Sequence, residues 1–254
     1  RGLGDVYKRQ LLKHPLNGIK LWGGRNKMDM KKLAGDKAAT YVKDGMVVGL
    51  GTGSTAYHMV NAVGEMVKNG LKIQAIPTSK ATEAQARELG IPLLTIDELD
   101  HVDLAIDGVD EIDPQFNAIK GGGGALYREK VVASMAKEVI WIMDESKLVE
   151  KLGTKAPLPV EVLRFGHEHT RYALERQGCK PDLRMRDGEP FVTDGGNYIY
   201  DCRFPEGISN PFFLESRIDV IPGVVENGLF LNTAFDVLVS RQDGTVSRMS
   251  GEKA

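Results

Sequence analysis

The sequence predicts an α/β protein, built as an open parallel sheet followed by a smaller α+β unit, and three observations carry that reading. Short runs rich in Val, Ile and Leu recur with glycine or charge at their ends, as buried strands do. Between them, apolar residues recur at helical spacing, so strands alternate with helices and imply parallel crossover units. After Gly153 the texture changes: Pro157 and Pro159 punctuate the chain and alternating segments appear. With 254 residues, 42% of them hydrophobic, there is enough chain for a main domain plus a smaller one.

Met30, Leu33, Ala34, Ala38, Tyr41 and Val42 mark a first helix, which Lys43-Asp44-Gly45 stops. Met46–Leu50 is a short Val-bearing run, the first strand, and Gly51-Thr52-Gly53-Ser54-Thr55 follows as a strand-to-helix turn. Ala56, Met59, Val60, Val63 and Val67 then share one helical face. The alternation continues with strand Leu71–Ile76, a helix through Thr82–Leu89, strands Pro92–Ile96 and Val102–Asp107, a helix from Ala125 to Lys137, and strand Glu138–Met143. Asn197–Cys202 alternates as a strand of the smaller unit, and Gly228–Leu231 and Asp236–Ser240 are expected to return to the first sheet. Residues 1–27 read as a disordered or spurious extension, with organised sequence beginning near Met28 or Met30. The predicted division is then a main domain over 28–152 with 232–254 and a small α+β domain over 153–231.

Lys+Arg 33 against Asp+Glu 35 leaves a net charge of -2, so no overall positive field holds a nucleic-acid backbone. No apolar run approaches the ~20 residues of a membrane-spanning helix. Cys179 and Cys202 form neither a C-x-x-C pair nor a disulfide framework, which suits a reducing, cytoplasmic setting.

Four segments carry chemistry. Gly49–Thr55 brings flexible backbone and hydroxyls to a helix N-terminus, whose free N–H groups favour a phosphate, though the same residues also describe a glycine turn with Ser54 as N-cap. It has neither the lysine of a P-loop nor the G-x-G-x-x-G spacing of a dinucleotide fingerprint. Asp107-Gly108-Val109-Asp110-Glu111 places carboxylates at the carboxyl end of a strand, where open α/β sheets bind ligands. A solvated acidic turn and a magnesium site are the alternatives. Lys120-Gly121-Gly122-Gly123-Gly124 combines a cation with backbone that can donate to an oxyanion, against the alternative of a mobile loop. Glu129, in the first turns of the next helix, can reach back over that loop as a general base, or lie solvated on the helix surface. Lys147 reads as a surface lysine unless the fold returns it to the site. His167-Glu168-His169 is too closely spaced to define a metal site.

Taken in order, Gly49–Thr55, Asp107–Glu111, Lys120–Leu126 and Arg128-Glu129-Lys130 closely resemble type A ribose-5-phosphate isomerase. The resemblance spans roughly Met28 to Ser250 and includes Asp144–Lys147, Pro157–Val162 and Ile221–Val225. It implies a Rossmann-like main domain, no metal, no cofactor, a pentose phosphate substrate and a homodimer or homotetramer. By motif it implies that Glu129 moves a proton between C2 and C1 and that Asp107 and Asp110 assist ring opening and hydroxyl proton transfers. Lys120 and the N–H groups of Gly121, Gly122 and Gly123 would stabilise an enediolate. Thr52, Gly53, Ser54, Thr55, Gly108, Val109, Lys147 and Lys31 would bind substrate, Lys31 through the phosphate.

A sugar-phosphate sensor of a transcription regulator shares this architecture, but Arg1–Lys27 lacks the periodicity of a helix-turn-helix and the acid, base and lysine residues are retained. Amino-sugar phosphate deaminases and coenzyme A transferases share the fold and call for other motifs.

Overall fold

The computed structural model describes residues 29–234 and 236–250; the predicted extension at 1–27 lies outside them. The main sheet and its helices comprise α1 (Met30–Ala39), β1 (Val47–Leu50), α2 (Ser54–Lys68), β2 (Gln74–Pro77), α3 (Lys80–Glu88) and β3 (Val102–Gly108). Two short strands, β4 (Glu111–Ile112) and β5 (Ala118–Ile119), then precede α4 (Leu126–Ser134) and β6 (Ala136–Asp144). The chain continues through β7 (Leu158–Val162), α5 (His167–Glu175), β8 (Lys180–Leu183), β9 (Met185–Arg186), β10 (Glu189–Pro190), β11 (Tyr198–Arg203), α6 (Pro211–Ile218) and β12 (Val224–Asn227). It closes with β13 (Leu229–Phe230), β14 (Asp236–Ser240) and β15 (Val246–Ser250).

Six strands form the main sheet in the order β15-β14-β6-β3-β1-β2, parallel except for the antiparallel edge pair β14 and β15. Alternation along each strand sends Leu104, Ile106, Ile140, Ile142 and Leu238 to the face covered by α1 and α2. Ala105, Val139, Trp141, Met143, Val237 and Val239 face the other way, onto Val132 and Ala133 of α4. Helices thus cover both faces, a Rossmann-like arrangement. Because β1 has β2 on one side and β3 on the other, the chain leaves the β1 and β3 ends in different directions and opens a crevice there.

The second sheet, β12-β7-β11-β8, is antiparallel and packs α5 and α6 through Leu158, Val160, Leu174, Tyr200, Leu214 and Ile218. No helix among the described residues is long and apolar enough to cross a membrane.

Three expected elements differ. Pro92–Ile96 is no strand: Leu93 makes one bridge to Ala75, and Ile96–Glu98 coils into a 3₁₀ turn. Pro92 contributes only its carbonyl, to Ala75 N, so the edge ladder cannot extend. The helix expected to reach Lys137 ends at Ser134, because Ala136 already pairs with Val102 in the sheet. Leu229–Phe230 does not rejoin the main sheet; it pairs with β5 in a three-stranded sheet β13-β5-β4, while β14 does return. That small sheet matters to the site, because Lys120 follows β5 directly and its N–H donates to Gly228 O at 2.9 Å.

Candidate active site

The first wall is the turn after β1. Gly51 passes so close to β3 that an added Cβ would overlap the Asp107 carboxylate, so this position requires glycine. Gly51→Ala is therefore expected to cost about 2 kcal/mol by overpacking and, by displacing Asp107, to lower turnover by about 100-fold. Denaturant unfolding and initial rates on the same preparation check both effects. Gly53 caps α2 at φ 112°, and no side chain satisfies the first N–H groups of the helix. Ser54 is therefore the first helical residue and not the cap, and its hydroxyl instead accepts from Lys31 Nζ at 2.9 Å. N–H groups without a partner among the described residues, a positive dipole end and a lysine converge on one point, an arrangement suited to a phosphate. Behind it, Thr52 Oγ1 lies 2.7 Å from Thr78 Oγ1 and 2.9 Å from Ser79 Oγ, which fastens the turn to the start of α3.

The second wall is the end of β3. Asp107 is 4% exposed. Its Oδ1 accepts from Thr52 N at 2.9 Å and Gly108 N at 2.7 Å, and its Oδ2 lies 3.0 Å from Lys120 Nζ. Asp110 Oδ2 accepts from Gly122 N at 2.7 Å, tying the acidic turn to the glycine loop. Glu111, the remaining acid of this turn, serves the fold: it is fully buried and accepts from the N–H groups of Gly153, Lys155 and Ala156.

Lys120 enters between these walls and is 1% exposed. Its ammonium sits 5.0 Å from the Trp141 ring centroid and 5.3 Å from that of Phe230, and donates to Gly108 O. Glu129, on the buried face of α4, brings Oε1 to 3.4 Å from Lys120 Nζ. Its Oε2 is buried without a hydrogen-bond partner among the described residues. Burial, then the Asp107 carboxylate, holds Glu129 well above its ordinary value of 4.5, and Lys120 only partly counters this. Burial would pull Lys120 down, but Asp107 and then Glu129 outweigh it and hold the ammonium above its ordinary range. These two shifts compete, since the help Lys120 takes from Glu129 requires an ionised carboxylate. Asp107, closer at 3.0 Å, contributes more than Glu129 to holding the lysine charged.

Within the glycine loop, Gly122 N is taken by Asp110 and Gly124 N by Gly121 O at 3.0 Å. The N–H groups of Gly121 and Gly123 have no partner among the described residues. Of the glycines expected to donate to an oxyanion, Gly122 is thus already engaged.

Lys31, Thr52, Gly53, Ser54, Thr55, Gly108, Val109, Asp110, Lys120, Gly121, Gly122, Gly123, Glu129 and Lys147 line one cavity of about 90 Å³. Asp107 lies just behind it against Lys120. Lys147 reaches the rim because Glu145–Lys147 forms a 3₁₀ turn at the end of β6, capped by Asp144. A larger cavity of about 490 Å³ runs along Pro77, Leu93 and Ile96 against Tyr127 and Val131 of α4, and holds none of these residues.

Residues 74–244 match the family model for ribose 5-phosphate isomerase A (phosphoriboisomerase A). The ribose-5-phosphate isomerase A of Bacillus mycoides is 50% identical over 217 residues, covering 85% of this chain and 98% of that protein. The chain belongs to the ribose 5-phosphate isomerase A family. Among solved structures, the ribose 5-phosphate isomerase from Plasmodium falciparum superposes with TM-score 0.85 at 43% identity, covering 88% of this chain and 98% of that one. A D-ribose-5-phosphate isomerase in complex with phospho-erythronic acid gives TM-score 0.84 at 39% identity, covering 88% and 100%.

His167-Glu168-His169 lies apart from the cavity lining. His167 Nδ1 meets the Tyr200 hydroxyl at 2.8 Å and Glu168 pairs with Arg171 at 2.9 Å. No group of three or more His, Cys, Asp or Glu side chains among the described residues is arranged to hold a metal ion. Sequence reasoning missed Arg184, whose guanidinium donates to the carbonyls of Gly121 and Gly122, and the hydroxyls of Thr78, Ser79 and Thr82 behind Thr52. The Thr78-Ser79 pair after a strand was a readable signal, since Ser79 N-caps α3; Arg184 had none at short range.

Proposed function

We propose that the chain interconverts ribose 5-phosphate and ribulose 5-phosphate with Glu129 as the base that carries a proton between C2 and C1. It is an aldose–ketose isomerase, and the reaction sets four requirements: an anchor for the phosphate, a base beside C2, a partner for the oxyanion and a route for hydroxyl protons.

One observation carries the assignment of the base: Glu129 lines the cavity, and its Oε2 is buried with no hydrogen-bond partner among the described residues. Leaving a buried carboxylate oxygen unsatisfied is costly, and such groups concentrate at sites of chemistry. A carboxylate held above its usual range is also a stronger base toward a carbon acid at neutral pH. In this reading the phosphate sits at the α2 N-terminus with Lys31, while Thr52, Gly53, Ser54 and Thr55 hold that end of the sugar. Asp107 and Asp110 assist ring opening and the hydroxyl proton transfers, beside Gly108 and Val109, and Lys147 closes the rim. Once the C2 proton leaves, charge spreads over O1 and O2, where Lys120 and the free glycine N–H groups stabilise the enediolate. Phospho-erythronic acid, bound by a relative, carries a carboxylate where the enediolate carries this charge, so it is expected to inhibit.

The division into a catalytic domain over 28–152 with 232–254 and a smaller domain over 153–231 belongs to the same reading. It is supported by the strands of the six-stranded sheet, within 47–144 and 236–250, and those of the four-stranded sheet, within 158–227. A homodimer or homotetramer is supported by exposed apolar side chains on the smaller unit, with Phe165 at 96% and Val220 at 75%. Free, buried Cys179 and Cys202 support a cytoplasmic setting.

The test is conversion of ribose 5-phosphate by the purified chain in EDTA. The expected result is metal-independent formation of ribulose 5-phosphate; a folded chain that binds the sugar phosphate without converting it would favour a sensor instead. The acid limb supplies a second expectation. The ionised form of Glu129 is the base, so kcat/KM falls as pH drops through its raised pKa. That limb is expected above the ordinary carboxylate value of 4.5, and a limb at or below it contradicts the assignment.

A further inference from the structure

The glycine loop is held from the second sheet by one side chain. Arg184 follows β8, and its Nη1 donates to Gly121 O at 2.9 Å and to Gly122 O at 3.2 Å. Its Nε and Nη2 face Asp201 of β11, at 2.9 Å to Oδ2 and 2.5 Å to Oδ1. This two-bond contact with a carboxylate fixes the plane and direction of the guanidinium. Phe191 lies against it, with its ring centroid 5.8 Å from Arg184 Cζ, and the pair is 14% and 19% exposed in Arg184 and Asp201. Few alternative positions remain for the cation.

Each carbonyl that Arg184 holds shares a peptide unit with the N–H of the next residue. In a trans peptide the C=O and N–H point in opposite directions, and the described chain contains no cis bond. Holding Gly121 O therefore aims Gly122 N–H, which donates to Asp110 Oδ2 at 2.7 Å. Holding Gly122 O aims Gly123 N–H, which has no partner among the described residues and belongs to a residue lining the cavity. A cation on the carbonyl also polarises the same peptide, so that its N–H becomes a stronger donor.

We propose that Arg184, aimed by Asp201, is a positioning residue that orients and polarises the Gly122–Gly123 peptide so that the Gly123 N–H meets the oxyanion of the enediolate. The inference rests on the isomerase reading above. It assigns to the second sheet a part in the chemistry: Arg184 touches no reacting atom, but sets the direction of a donor that does.

The experiment compares wild type, Arg184→Lys and Arg184→Met in the ribose 5-phosphate assay, together with inhibition by a four-carbon phospho-aldonic acid and a thermal unfolding scan. Loss of one aligned donor is expected to lower kcat about 30-fold in Arg184→Met with KM changed less than about threefold. Arg184→Lys should fall between, because lysine keeps the charge and loses the fork. Inhibition should weaken in step with kcat/KM, since the acid mimics the intermediate. A purely structural clamp would instead leave folded enzyme with wild-type kcat, or lower kcat without weakening the inhibitor; either overturns the proposal. If Arg184→Met does not fold, Asp201→Asn loosens the guanidinium while leaving it present, and the same split at about fivefold is expected; an unchanged kcat there overturns it as well. An inactive wild type sinks the isomerase reading itself, and is distinguished by appearing before any substitution is made.

Discussion

Replacing Glu129 with glutamine is expected to lower kcat by about 1,000-fold while leaving KM within about threefold of wild type. Glutamine keeps the shape of the side chain and its place on the buried face of α4, but it cannot accept a proton from carbon. Steady-state kinetics on the purified variant check this, and turnover within tenfold of wild type would remove Glu129 from the role of base. Folding supplies a further readout with the opposite sign. Burial and the Asp107 carboxylate raise the pKa of Glu129 in the folded chain, so the folded state favours its protonated form. That stabilisation is fully present below the unfolded-state pKa and is lost as pH rises through the folded-state value. At neutral pH the ionised carboxylate is thus a burden, and Glu129→Gln is expected to be at least as stable as wild type toward denaturant. A variant that gains stability as it loses turnover is what a site holding a strained base produces.

Replacing Lys120 with methionine is expected to damage both properties. In the proposed mechanism the ammonium stabilises the enediolate, and losing it should lower kcat/KM by roughly 100-fold to 1,000-fold. It is also the partner of a buried carboxylate, since Asp107 Oδ2 lies 3.0 Å away and Asp107 is 4% exposed. Methionine fills the space between Trp141 and Phe230 but leaves that charge with only the Thr52 and Gly108 N–H groups, at a cost of roughly 3 kcal/mol. Urea unfolding at neutral pH measures the second effect. Equal stability of wild type and Lys120→Met at neutral pH would contradict the buried ion pair.

Much of the site could be read from the sequence because its parts are compact and lie at predictable places on the fold. Gly51–Thr55 sits between a strand and a helix, and Asp107–Asp110 ends a strand, so each segment states its own position. Glu129 and Lys120 were readable as candidates, but whether Glu129 was buried or solvated was not, because Leu126–Ser134 is only weakly amphipathic and its buried face is decided by packing on β12, β3 and β6. Lys147 looked like a surface residue until the turn after β6 placed it on the cavity rim. The unread parts all depend on contacts between distant segments. Arg184 reaches Gly121 across 63 positions, and Lys120 is set by a ladder to Gly228 that no local pattern announces. Strand β13 escaped for the same reason: two residues carry no periodicity, and its partner β5 was too short to be anticipated. Pro92–Ile96 failed in the other direction, since its apolar residues suggested a strand and its backbone could not supply the ladder.

Running the reaction in D₂O and following C1 of ribulose 5-phosphate by NMR shows whether Glu129 carries the proton between C2 and C1. Wild type is expected to place deuterium at C1 wherever the carboxyl exchanges its proton with solvent before returning it, and Glu129→Gln, still binding substrate, is expected to incorporate essentially none. Deuterium entering C1 at the wild-type rate in Glu129→Gln would show that another group moves the proton, and would contradict the account.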